Sequence, residues 1–289
     1  MKKLVIFGVG LIGGSVALAL KKQADAPVCI GIGRNQTNLE QALALNIIDE
    51  IGTDIPSALK NADMVIIAAP VAQTKNILSS IQPYLSTNTV VTDAGSTKTD
   101  VLAMAQEVLG AQANHFVGGH PIAGAEKSGA TAAMADLYID KNVVLTPTAQ
   151  TDSDALSKVR DLWQLCGAKV IEMPAERHDG IFATVSHLPH VLAFALVEDI
   201  ASRDNADELF QFAASGFRDF TRIAGSSPEM WRDISFANKT ALLKEITSYE
   251  KALAKLKQTL ADEDSAALQA LFERASKARN DWAKDKKYI

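Results

Sequence analysis

The chain has 289 residues, a formal net charge of −5, 47% hydrophobic and 22% charged residues. That length suits one large domain or two ordinary ones, and the composition supports a buried core, which excludes general disorder. The mildly acidic balance offers no electrostatic footprint for nucleic acid, and Cys29 and Cys166, each in an apolar stretch, make no disulfide framework.

Lys2-Lys3 and the apolar run to Leu20 imitate a secretory signal, with Ala17-Leu18-Ala19 in the place of a cleavage site. Gly8, Gly10, Gly13 and Gly14 weaken that signal helix and have a better use, so a cytoplasmic location is expected. No apolar run reaches the roughly 20 residues of a bilayer span, so no membrane partner is expected.

Residues 4–8 read as a strand and 12–22 as a helix, followed by a strand at 28–33 and a helix at 38–45. A fully apolar strand at 64–69 precedes a helix at 74–85, and a strand at 89–93 precedes a helix at 101–109. Strands at 116–119 and 142–146, a helix at 154–165 and a strand at 169–173 complete the series. Continuous apolar strands separated by helices predict an α/β fold with a parallel sheet covered on both faces.

After Pro174 no strand-like run recurs. The expected division is residues 1–174 as a Rossmann-type dinucleotide-binding domain and 175–289 as an all-α substrate-binding and dimerisation domain. Residues 178–203 read as a helix kinked at Pro189, and Ser227-Pro228 as an N-cap with Pro at the first helical position. The helix that follows carries Leu242, Ile246, Tyr249, Leu253, Leu256 and Leu260, in steps of four and three. Such a heptad seam serves either packing within one subunit or a homodimer interface, and the small helical complement favours the dimer. Leu268, Leu271, Phe272 and Ala275 mark an amphipathic last helix.

Gly8-Val9-Gly10-Leu11-Ile12-Gly13 is a G-x-G-x-x-G between a strand and a helix, the context in which that pattern marks a dinucleotide site. Gly8 permits the tight turn, Gly10 admits the pyrophosphate, Gly13 lets the helix pack closely, and the helix N-terminus at Leu11 and Ile12 favours anionic oxygens. Ala69 and Pro70, after the third clear strand, are assigned to the same site. Where an NAD enzyme usually carries Asp or Glu on the ribose, this chain has Gly33-Arg34-Asn35. Arg34 pairs with a 2′-phosphate or lies on the adenine, so NADP is the preferred cofactor and NAD the alternative.

Ligands in such folds sit beyond the carboxyl ends of the strands. Three polar stretches are placed there: residues 92–98 with Ser96, residues 118–129 with His120, and Ser186-His187-Leu188-Pro189-His190. Ser96 caps a helix or meets a substrate. His120, among glycines and before a proline, suits acid–base work near neutral pH. His187 and His190 share a helix face, but no H-E-x-x-H or cysteine cluster accompanies them, so no metal is expected. Of the two, one is expected to reach the cleft and the other to pack.

With residues 93–98, Gly119-His120-Pro121-Ile122-Ala123-Gly124, residues 186–190, residues 216–222 and Met230-Trp231-Arg232-Asp233, the glycine loop resembles the prephenate/arogenate dehydrogenases, in order and over nearly the whole chain. The resemblance implies oxidative decarboxylation of a cyclohexadienol carboxylate. His120 takes the proton of the ring C4 hydroxyl, Ser96 orients that hydroxyl, Arg222 binds a substrate carboxylate, His190 contacts polar substrate groups, Trp231 walls the pocket and Asp219 orients Arg222. Glu126 either meets the ammonium of arogenate or caps a helix. Arg222 has a surface salt bridge as its alternative, and Trp231 a plain core position. A β-hydroxyacid-type dehydrogenase and a non-catalytic nucleotide sensor are the rival readings. The first is expected to carry a catalytic lysine in its second domain, and the second need not keep His120, Ser96 and Arg222 together.

Overall fold

The structure, a computed structural model, describes residues 1–125 and 127–284. Strands β1 (Lys3–Phe7), β2 (Val28–Ile32), β3 (Glu50–Ile51), β4 (Met64–Ile67), β5 (Val90–Asp93), β6 (Phe116–Pro121), β7 (Asn142–Thr146) and β8 (Lys169–Glu172) form one sheet in the order β3-β2-β1-β4-β5-β6-β7-β8. Its first six positions follow the doubly wound Rossmann order. The run is parallel through β6; β7 is antiparallel to β6, and β8 returns parallel to β7. The expected all-parallel sheet is therefore mixed at this edge. Among its described residues the link from β6 to β7 carries only a short 3₁₀ turn, Ala130–Ala132, in place of a crossover helix.

The helices over the sheet are α1 (Leu11–Leu20), α2 (Gln36–Ala44), α3 (Ile55–Leu59), α4 (Thr74–Ile81), α5 (Thr99–Leu109) and α6 (Ser153–Leu165). The strand β1 shows why both faces must be covered. Leu4 and Ile6 belong to a core with residues of α1 and α6, whereas Val5 and Phe7 belong to a second core with residues of α4 and α5. A strand alternates sides at every residue, so four consecutive buried apolar side chains need a layer on each face. The sequence reading lacked β3 and α3, which at two and five residues are too short to show a period.

Beyond β8 lie α7 (Ala175–Phe182), α8 (Leu188–Ala201), α9 (Ala206–Gln211), α10 (Ser215–Thr221), α11 (Pro228–Ala237), α12 (Lys239–Ala261) and α13 (Ser265–Lys284). The predicted kink is a π-helical turn, Ala183–His187, with Pro189 in the first turn of α8. Proline lacks the N–H that would close the regular ladder, and the wider turn absorbs the defect. Against the expectation that no run is long enough for a bilayer span, the stretch Ala175–Ala201 is long and apolar enough to cross a membrane by length and composition alone. It carries the buried polar side chains His178, Asp179 and His187.

The single helix expected after Ser227 is two. Ser227 caps α11 by accepting from the Met230 N–H at 3.4 Å, and the run stops at Asn238 before α12. By compactness the chain forms two units, residues 1–239 and 240–289. Within the second, Leu243, Leu253 and Leu260 of α12 and Phe272 and Trp282 of α13 are exposed.

Candidate active site

The glycine loop leaves β1 and opens α1 at the carboxyl edge of the sheet. Gly8 has φ +95°, and a Cβ there would lie 2.5 Å from the Ala68 carbonyl oxygen. A Cβ on Gly13 would lie 2.3 Å from the Gly8 carbonyl oxygen. Around Gly10 nothing stands within 4 Å of a Cβ, so the loop leaves open the space a pyrophosphate would take. A cleft of about 950 Å³ opens here, lined among others by Gly8, Gly10, Arg34, Ala69 and Pro70. Gly13 lies behind it, and Leu11 and Ile12 pack on the core, so these three shape the cleft without lining it. The α1 N-terminus, with no acidic residue in its first turn, is suited to an anion. The cradle therefore fits a dinucleotide.

Across the cleft, Arg34 is exposed, and Asn35 caps α2 by accepting from the Asn38 N–H at 3.0 Å. The Asn38 amide ties the site together. It donates to the Val9 carbonyl at 2.7 Å and accepts from the Ala130 N–H at 2.8 Å. No carboxylate is among the described residues lining this cleft.

Two strands along, Asp93 ends β5 and organises the next part of the site. It is ion-paired with Lys98, both side chains being buried, and accepts from the Gly95 N–H at 2.8 Å and the Gly119 N–H at 3.0 Å. Lys98 Nζ also donates to the Gly119 carbonyl at 2.8 Å. These bonds fix the backbone of β6 one residue before His120. Glycine is required at 119, because a Cβ would lie 2.7 Å from the Asp93 carbonyl oxygen. Ser96 is half-buried in this loop. It does not cap α5, whose first N–H groups, of Lys98 and Thr99, donate to Asp179 of α7 at 2.9 Å each.

His120 is half-buried, with Nδ1 2.8 Å from Nε2 of His178, whose own Nδ1 lies 2.8 Å from Oδ1 of Asp179. Phe182 packs edge-on to the His120 ring, with centroids 4.8 Å apart. Burial first, then the charges of His178, Lys98 and His187, push the pKa of His120 well below the ordinary value. Burial also lowers that of His178. Asp179 is held below the usual carboxylate range by hydrogen bonds from His178, Thr99 and Lys98, which outweigh its own burial.

The two histidines of the kinked segment differ. His187 is buried, with Nδ1 3.1 Å from the Asn238 amide nitrogen, and burial pushes its pKa down to about 4. His190 is half-buried; its Nδ1 is 2.8 Å from the Ser186 carbonyl oxygen, and its ring stacks on Trp231 with centroids 3.6 Å apart. Trp231 itself is buried. Arg222 follows α10 on an exposed turn, close enough to His190 for its charge to lower that imidazole's pKa. Glu126 lies outside the described residues.

Sequence reasoning missed His178, Asp179 and Asn238, and gave Lys98 no role. A His-Asp pair just after the last strand was the available signal for the first two. Among the described residues no three His, Cys, Asp or Glu side chains gather as metal ligands.

A dinucleotide cradle and a half-buried imidazole on the same edge of a Rossmann sheet belong to the nicotinamide-dependent dehydrogenases. Two family models narrow the class: "Prephenate dehydrogenase, nucleotide-binding domain" matches residues 16–172, and "Prephenate dehydrogenase, dimerization domain" matches residues 174–274. The chain belongs to the prephenate dehydrogenase family.

It is 39% identical over 279 residues to a prephenate dehydrogenase of Bacillus subtilis, covering 96% of this chain and 75% of that protein. A crystal structure of prephenate dehydrogenase from Aquifex aeolicus in complex with hydroxyphenyl propionate and NAD+ superposes with TM-score 0.91 at 38% identity, over 97% of this chain and 98% of that one. An arogenate dehydrogenase of Synechocystis gives TM-score 0.81 at 31% identity, over 97% and 99%. Family membership sets aside the β-hydroxyacid-dehydrogenase reading.

Proposed function

We propose that the chain catalyses oxidative decarboxylation of prephenate, of arogenate or of both, in tyrosine biosynthesis. The observation that carries this reading is His120: a half-buried imidazole near the end of β6, on the edge that holds the glycine cradle, with one ring nitrogen already engaged by His178. Bound nicotinamide supplies the acceptor for the hydride that leaves ring C4. His120 takes the C4 hydroxyl proton on its other nitrogen as the carbonyl forms, and Ser96 orients that hydroxyl. The bond from the ring to its carboxylate then breaks, CO2 leaves, and its electron pair completes the aromatic ring. Arg222 holds a substrate carboxylate, His190 meets polar substrate groups, and Trp231 backs the pocket.

NADP is the preferred dinucleotide in this reading, because the wall beside Asn35 offers Arg34 and no carboxylate to repel a 2′-phosphate. The Aquifex relative was crystallised with NAD+, so both dinucleotides must be compared directly. We assign residues 1–174 to dinucleotide binding and 175–289 to substrate binding and homodimer formation. The end of β8 at Glu172 and the family-model bounds at 172 and 174 support that division. The exposed leucines of α12 support a homodimer.

The test is an assay with prephenate and with arogenate, each with NAD and NADP, following reduced-dinucleotide absorbance and CO2 release together. Turnover with at least one pair is expected, and Glu126→Gln should lower the arogenate-to-prephenate ratio. No reduction with any pair overturns the reading.

A further inference from the structure

We infer that His178 and Asp179 are positioning residues for the proton transfer: the chain Asp179–His178–His120 fixes which nitrogen of His120 is the base and steadies the charge that His120 acquires. The inference rests on the reading of His120 given above.

Asp179 accepts N–H groups on both carboxylate oxygens, from Lys98 on Oδ1 and from Thr99 on Oδ2, at 2.9 Å each. An ionised carboxylate can only accept, so His178, 2.8 Å away, must carry its proton on Nδ1. In a neutral His178 the Nε2 is then bare and must accept. Its neighbour at 2.8 Å is Nδ1 of His120, which must therefore be protonated. A neutral His120 is left with its lone pair on Nε2. The opposite tautomer would set two lone pairs against each other at 2.8 Å in a buried place, a desolvation cost of about 1–3 kcal/mol.

The chain spans three elements, so it is held from several sides. His120 sits near the end of β6, His178 and Asp179 sit in α7, and Asp179 serves the N-terminus of α5. Asn238 donates to the Asp179 carbonyl at 2.8 Å and holds α7 from the other side. When the substrate hydroxyl gives its proton to Nε2, His120 becomes an imidazolium that still donates through Nδ1 to His178. No second proton transfer is needed, since the negative charge of Asp179 acts through the His178 ring. The charged and titratable groups around the pair are Asp179 and His178 from α7, Asp93 from the end of β5, Lys98 from the β5–α5 loop, and His187 from the π turn.

The test uses the full chain saturated with dinucleotide, with His178→Leu, His178→Gln and Asp179→Asn. Nitrogen-15 spectra of the histidine rings report the His120 tautomer, and kcat, KM and the pH profile are measured alongside. In the unaltered protein His120 is expected to carry its proton on Nδ1. In His178→Leu that preference should disappear, and kcat should fall about 100-fold or more with KM little changed. In His178→Gln the amide oxygen can still accept from Nδ1, so the tautomer should persist and kcat should recover at least tenfold over His178→Leu. Asp179→Asn removes a negative charge near the imidazolium, so the acidic limb of the kcat profile should move to lower pH. A proton on Nε2 of His120 in the unaltered protein overturns the inference, as does a His178→Leu protein with unaltered tautomer and kcat. Lack of turnover in the unaltered protein would instead sink the functional reading, and the spectra would still decide the tautomer.

Discussion

Trp231 lies nearly parallel to His190, its plane inclined by 19° and its centroid 3.6 Å away. The stack couples α11 to the kinked segment and sets the direction of an imidazole already fixed through Nδ1 to the Ser186 carbonyl. Trp231→Ala should cost about 3–5 kcal/mol of stability, the usual range for emptying a large aromatic site. It should also raise the substrate KM. Trp231→Phe keeps a ring against His190 and should retain most of the stability. Urea denaturation of both variants checks this.

His120→Asn should leave dinucleotide affinity within about threefold, because the glycine cradle is formed by other elements. Turnover should fall by roughly 10²–10⁴, the usual contribution of a general base. Fluorescence titration of the reduced dinucleotide and steady-state kinetics separate the two effects. Near-normal turnover would remove His120 from its role.

Arg222 is exposed and near His190, so a contribution to substrate binding is expected. Arg222→Ala should raise KM by roughly tenfold to a hundredfold, as for loss of a charged hydrogen bond worth about 1.5–3 kcal/mol. Arg222→Lys should recover only part of this, because lysine lacks the two-pronged geometry.

Lys98→Met strands the Asp93 carboxylate in a fully buried place. The expected loss is about 3–5 kcal/mol, as for breaking a buried pair. Asp93→Asn combined with Lys98→Met should regain part of it. A single Lys98→Met variant as stable as the parent would show that the pair does not hold β6.

The pKa of His187, about 4 against an ordinary 6.5, gives a pH dependence with a definite sign. Between those values the unfolded chain takes up a proton that the folded chain refuses, so stability falls as pH drops from about 6.5 towards 4. The full loss is on the order of 3 kcal/mol. Denaturation midpoints across that window should slope downward towards acid, and His187→Gln should flatten part of the slope.

Much of the sheet was legible because its strands are continuous apolar runs. The stretch at 64–69 could hardly be anything but a buried strand, and β4 lies there. The antiparallel turn of β7 was not legible, since direction depends on the connection and not on the strand's own residues. Similarly, Pro189 announced a defect, but whether a kink or a π turn resolves it depends on packing around the helix. Within the candidate site, His120 stood out for its glycine neighbours. His178 and Asp179 did not, because a His-Asp pair in a helix reads as an ordinary polar face until α5 and β6 are brought against it.

The sequence by itself determined the dinucleotide cradle, the Rossmann strand series and the family, because these rest on local backbone demands and on motifs in fixed order. Only the tertiary structure decided which groups touch His120, why Lys98 is buried, and where Asp179 spends its charge. The bonds from Asp179 to the Lys98 and Thr99 N–H groups and from His178 to His120 join residues 58 to 81 positions apart, and their energetics come from excluding water around them, which no local pattern records.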